Sequence, residues 1–223
     1  RERERERERE RRTFGRITMS SEQQKKSEGP SVDLDACARR LKSLYKIWNS
    51  NENHQLFNDA DALLIGSGAN KEEELRYLKA VSLQIWLFSY ELPDTVIAFI
   101  KGETNNEMHA IASGKKAKLL ENARETIEEA IGGTLRVHSK PKNEDGSQQV
   151  DALVTILKEK CTKIGACSKE LNEGNLMQTT VEKLGGKEQF ADATSGIACV
   201  LSKKDQKEMK FVDDAVKLSL IHI

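Results

Sequence analysis

Residues that carry chemistry are what this 223-residue sequence has least of. Its four histidines, His54, His109, His138 and His222, are scattered, with no HExxH and no carboxylate at ligand spacing, so neither a metal nor a cofactor is expected. There is no G-x-S-x-G nucleophile elbow, and no cysteine sits in a catalytic signature. Cys37, Cys161, Cys167 and Cys199 form neither a CxxC pair nor a dense framework, and are expected as buried thiols. No run approaches the roughly 18 apolar residues that span a bilayer, and no apolar segment follows a basic N-terminus as in a secretory signal, so no membrane partner is expected. Excess charge of one sign is missing too, since 36 basic residues face 36 acidic ones.

That balance depends on the first residues. Arg1 to Glu10 alternate strictly, which gives like charges at every i,i+4 pair of a helix and no apolar face to a strand. An alternating A/G dinucleotide tract read in frame encodes this pattern, and the first methionine is Met19. The expectation is a translated leader over residues 1–18 with the native start at Met19, the alternative being a genuine polyampholyte arm. Residues 1–18 hold eight Arg and five Glu, so 28 basic and 31 acidic residues remain, a net charge of −3. Grip on duplex DNA comes from phosphate neutralisation, so direct strong DNA binding is not expected.

What the sequence does have is a central stretch, Glu74 to Lys101, ELRYLKAVSLQIWLFSYELPDTVIAFIK, anchored by Trp86 and Phe99. Continuous apolar runs bounded by a turn signal read as strands buried on both faces, which predicts strands over Ile85–Phe88 and Thr95–Ile100 joined by a Pro93-Asp94 turn into an antiparallel hairpin. Leu75, Leu78 and Val81 or Ser82 predict a short helix before the first strand, capped by Asn70 with Glu73.

Elsewhere helices and strands alternate. Leu34, Cys37, Ala38, Leu41, Tyr45 and Trp48 mark an amphipathic helix capped by Ser31 or Asp33. Ala62–Ile65 reads as a buried strand ending at Gly66-Ser67-Gly68. A Gly-x-Gly between strand and helix can cradle phosphate, but Lys71 stands where the third glycine belongs and no GK[ST] occurs, so a tight strand-to-helix turn is the better reading. A strand over Glu107–Ala112, one long helix from Lys116 to Ile131 and a half-exposed strand around Leu135 and Val137 follow. Then come a helix from Val150 to Cys161, a strand over Ile164–Cys167, a helix over Leu176–Leu184, a strand over Phe190–Ala193 and a charged helical tail from Lys203. The expected fold is α/β, a mixed, largely parallel sheet with one central hairpin, flanked by helices.

LYKIW closing the first helix, the strand DADALLIGSG, ELRYLK with QIWLFSYELPDT, and the loop SKPKNEDG together resemble the N-terminal lobe of the large subunit of FACT, a histone chaperone. The similarity runs from about Val32 to Leu220. That lobe is in turn similar to the N-terminal domain of the creatinase and aminopeptidase P group, whose RYL element is matched by Arg76-Tyr77-Leu78. Lys79, however, replaces the hydroxyl residue and the following glycines are absent, which favours the chaperone branch. With the leader and the polar, aromatic-poor residues after it read as a disordered stretch over 1–31, the resemblance implies the lobe over 32–203 and at 204–223 a truncated helix leading towards a missing pita-bread lobe. It also implies a non-enzymatic module of nucleus and chromosome that acts in transcription, replication and repair. The implied partners are histones or histone tails, the HMG-box subunit of FACT and replication factors. The alternative is the non-catalytic lobe of an aminopeptidase P-like metallopeptidase.

For a partner surface the sequence offers Arg76, Tyr77, Tyr90 and Glu91, because Tyr and Arg most often anchor interfaces. Both pairs are expected near the hairpin; the competing expectation is that Tyr77 packs inward and Arg76 pairs with Glu73 or Glu91.

Overall fold

The computed structural model describes residues 32–68, 77–141 and 144–221. Expectations for residues 1–31, for Arg76 and for the Asn70–Glu73 cap lie outside them. Helix α1, Leu34–Trp48, opens where Asp33 accepts a hydrogen bond from the Ala36 N–H at 3.1 Å, and its apolar stripe of Cys37, Leu41, Leu44 and Trp48 is completely buried. A 3-10 turn, His54–Phe57, leads to strand β1, Ala62–Ser67. Helix α2 is Lys79–Phe88, and the antiparallel neighbours β2, Thr95–Ile100, and β3, Asn106–Ser113, come next. Helices α3, Gly114–Asn122, and α4, Arg124–Ile131, lead into β4, Gly133–Lys140. The chain continues through α5, Ser147–Lys160, β5, Ile164–Ala166, α6, Asn175–Lys183, β6, Phe190–Asp192, α7, Thr194–Ser202, and α8, Gln206–Ile221.

The six strands form one sheet in the order β4-β3-β2-β1-β5-β6, with β1–β2 and β2–β3 antiparallel and the three outer pairs parallel. Alternation along β2 explains its unbroken apolar run: Ile97 and Phe99 enter the core under α1, α2, α4 and α7, whereas Val96, Ala98 and Ile100 enter the opposite core under α5 and α6. Two buried faces leave Val96–Ile100 no position for a polar residue, and Thr95 at the start of the strand satisfies its hydroxyl on the Pro93 carbonyl at 3.3 Å.

Three expectations are corrected. Ile85–Phe88 is the second half of helix α2, not a strand, and the predicted helix and strand are one element. Ala80, Leu83, Leu87 and Phe88 are buried while Ile85 is 43% exposed, a helical repeat that a four-residue apolar run cannot reveal by itself. The hairpin therefore lies one strand later, between β2 and β3. The single helix expected over Lys116–Ile131 is interrupted at Ala123 (φ −96°, ψ 5°), whose N–H turns back to the Leu120 carbonyl at 3.1 Å. Helix α7 is an addition, since a segment with Gly196, Thr194 and Val200 has weak helical propensity and is held by burial against Phe57 and α2.

The start of α2 is capped from far away. Glu170 accepts the Lys79 N–H at 2.7 Å and the Ala80 N–H at 2.8 Å, satisfying two donors that the helix cannot pair internally. Glu170→Ala is expected to cost about 1–2 kcal/mol in chemical unfolding, the range of a strong N-cap. A loss under about 0.3 kcal/mol would mean that water replaces the carboxylate without penalty.

Glycines 66 and 68 serve close packing. A Cβ on Gly66 would lie 2.8 Å from the Met177 sulfur, and one on Gly68 3.2 Å from the Gly174 nitrogen. The strand-to-helix turn expected after them falls outside the described residues. The four cysteines are free thiols, with Cys37 and Cys167 buried; burial pushes each of these two up to about 12, which keeps them unreactive.

Candidate partner-binding surface

The loop that carries Tyr90 and Glu91 is pinned at every step. Ser89 leaves α2 in the left-handed region (φ 54°) and its N–H closes on the Ile85 carbonyl at 2.8 Å. Leu92 is fully buried, and its carbonyl accepts from the Ser67 hydroxyl at 2.5 Å. Lys116 donates to the Pro93 carbonyl, Lys140 pairs with Asp94 at 3.3 Å, and the Asp94 N–H reaches the Gly68 carbonyl at 3.1 Å. Tyr90, 39% exposed, and the half-buried Glu91 are thus displayed from a rigid mount, with little conformational entropy left to lose on binding.

Tyr77 is 98% exposed, so it does not pack inward. It precedes the first turn of α2, while Tyr90 follows the last. Ten helical residues separate them, about 15 Å at the usual rise. Tyr77 and the pair Tyr90-Glu91 therefore sit at opposite ends of α2 rather than beside a common hairpin.

Beside Tyr90 lies a feature that the sequence reading missed. A groove of about 580 Å³ runs between α2, the end of α7 and the root of α8, lined by Arg40, Ile85, Trp86, Ser89, Leu201 and Glu208. Arg40 builds its floor. Its guanidinium donates to the Trp86 carbonyl at 2.6 Å, pairs with Asp205 at 3.2 Å and lies 5.5 Å from the Trp86 ring centre. The Trp86 indole N–H donates to Glu208 at 3.3 Å. Asp205 and Glu208 cap one another reciprocally, each backbone N–H bonding the other's carboxylate at 2.9 and 2.8 Å. The Glu208 N–H, with Arg40 after it, holds the Asp205 carboxyl below its usual range.

The consequence is directional. The root of α8 is clamped to α1 and α2, and beyond Glu208 the helix exposes Met209, Val212 and Val216 on one face, with Phe211 and Leu218 also exposed. Asp-x-x-Glu was a legible helix-start signal, but its partners Arg40 and Trp86, more than a hundred residues away, were not.

Among the described residues no three His, Cys, Asp or Glu side chains are grouped to hold a metal ion, and no helix is long and apolar enough to cross a membrane. A six-stranded mixed sheet with helices on both faces makes this an α/β lobe, an architecture consistent with the creatinase and aminopeptidase P N-terminal type. Comparison with known proteins narrows the class. The family model "FACT complex subunit SPT16 N-terminal lobe domain" matches residues 32–196, and the chain belongs to that family. FACT complex subunit SPT16 of Arabidopsis thaliana is 32% identical over 197 residues, covering 85% of this chain and 18% of the relative. The Zea mays protein of the same name is 30% identical over 194 residues, with the same shares. The chain thus spans less than a fifth of the length of these relatives. Among solved structures, the N-terminal domain of the SPT16 subunit from chickpea superposes with a TM-score of 0.72 at 28% identity, covering 81% of this chain and 41% of that one. The corresponding domain from Eremothecium gossypii, at 22% identity and a TM-score of 0.62 over 81% of this chain and 40% of that one, shares the fold.

Proposed function

We propose that this lobe is a non-enzymatic histone-chaperone module of a FACT complex in the nucleus. It would contribute to nucleosome reorganisation in transcription, replication and repair by binding histones, histone tails or other chromatin proteins. The observation that carries this reading is the family match along residues 32–196. The rigid display of Tyr90 and Glu91 beside the Trp86 groove supports it as a surface suited to a protein partner. The HMG-box subunit and replication factors are partners of the longer assembly in this reading. Residues 32–203 are the lobe in this reading.

The test is titration of histone complexes and tail peptides against the chain and its Arg76→Ala, Tyr77→Ala and Tyr90→Ala variants at two salt concentrations. Tyr90→Ala is expected to lose about 1 kcal/mol or more of binding, with thermal unfolding nearly unchanged because the side chain is exposed. Equal affinity of all the variants at both salts would remove both ends of α2 from the binding surface.

A further inference from the structure

His109, on β3, has a completely buried side chain. Its Nε2 lies 2.9 Å from a Glu107 carboxylate oxygen, and its Nδ1 lies 3.2 Å from Nε2 of His138 on the neighbouring strand β4. The ring centres are 5.6 Å apart with planes inclined by 17°, the separation that two imidazoles joined nitrogen to nitrogen require, so the rings meet edge to edge along one line. Proton positions follow from chemistry. A carboxylate only accepts, so His109 Nε2 carries a hydrogen; in the neutral ring Nδ1 then accepts, and His138 Nε2–H is the donor. The row Glu107, His109, His138 is complete while one of the two facing nitrogens, His109 Nδ1 or His138 Nε2, is bare.

The surroundings are already positive. Lys160 of α5 donates to the other oxygen of Glu107, and Arg136 of β4 is in register with His109. From β2 the residue opposite His109 is Ala98, which offers no charge, and His138 is in register with Ile111. One carboxylate thus faces two fixed cations before either ring is protonated. A first added proton, on the outer Nδ1 of His138, keeps the donor and the line intact. A second, on His109 Nδ1, places two N–H groups head to head and two imidazolium charges beside Lys160 and Arg136.

We propose that this row is an acid-operated clasp that fastens edge strand β4 to β3 and opens when both imidazoles become charged. Desolvation, opposed for His109 by Glu107 and reinforced for His138 by His109, holds both rings below the ordinary 6.5 of histidine. The unfolded or opened chain therefore takes up protons first. The stability supplied by the clasp is present above about pH 6.5 and is lost as pH falls through the lower folded values.

Hydrogen exchange of the full chain, followed by mass spectrometry and corrected for intrinsic rates, tests the clasp at about pH 7.5 and about pH 5. Peptides spanning β4 should lose protection by about tenfold or more at the lower pH while β1 peptides keep theirs. His138→Gln, which retains a donor but cannot become charged, should abolish the pH dependence. Equal β4 protection at both pH values overturns the proposal, as does a loss shared equally by β1 or one that persists in His138→Gln. The half-exposed position of His138 keeps that variant foldable where His109→Gln fails.

Discussion

Trp48→Ala is expected to destabilise the lobe by about 3–5 kcal/mol, the range for truncating a fully buried large aromatic. Trp48 is completely buried at the end of α1, with ring centres 5.6 Å from Tyr45 and 6.1 Å from Phe57, and its indole N–H donates to the Ala60 carbonyl at 3.1 Å. It is also the roof over Lys101, whose ammonium lies 4.3 Å from the ring centre and donates to the Trp48 carbonyl at 3.1 Å. Burial lowers Lys101 to about 8, so this lysine's own contribution to stability rises with pH between about 8 and the ordinary 10.5, against the opposite contribution above about 9 of Cys37, Cys161 and Cys167, each pushed up to about 12. Opening the cavity admits water to the amine and should flatten that rise. Urea unfolding at a series of pH values checks both parts; a loss below about 1 kcal/mol would show that α1 is anchored elsewhere.

Gly133→Ala is expected to cost about 3 kcal/mol, at the upper end for steric overpacking. A Cβ at Gly133 would stand 1.8 Å from the Asn106 carbonyl oxygen and 2.6 Å from its carbonyl carbon, the first rung of the β3–β4 pair. These are backbone atoms with no rotamer to change, and Asn106 is held in place by its own side-chain amide, which donates to the Ile131 carbonyl at 2.6 Å. Gly66→Ala is the internal comparison: its close neighbour is the flexible side chain of Met177, and its cost should be the smaller of the two. Thermal unfolding of both variants ranks them, and a smaller loss for Gly133→Ala would show that the strand pair yields at its first rung.

The binding surface was legible only in part. Tyr77 and Tyr90 are exposed aromatics, as interface anchors must be, but the sequence could not separate them because it read α2 as a helix followed by a strand. Arg40 lies on the face of α1 that charge patterning assigns to solvent. In the structure it is nearly covered by Trp86, Asp205 and Glu208, which come from segments 46 to 168 residues away.

Local signals set most of the architecture. The i, i+3, i+4, i+7 apolar stripe of α1 ends on Trp48, the unbroken run over Thr95–Ile100 is a strand buried on both faces, and Gly132 stops α4 in the left-handed region at φ 61°. Each depends on covalent geometry or on hydrophobic periodicity, which a chain carries before it folds. Only tertiary structure decided the rest. Glu170 defines where α2 begins from ninety residues downstream. Phe57 leaves room for the bare Gly196 of α7, where an added Cβ would lie 2.5 Å from its ring. Two histidines that look unrelated at positions 109 and 138 become one hydrogen-bonded pair because β3 and β4 lie side by side in register. Caps, close approaches and buried polar pairs are interactions between distant segments, and their energies exist only once the sheet has brought those segments together.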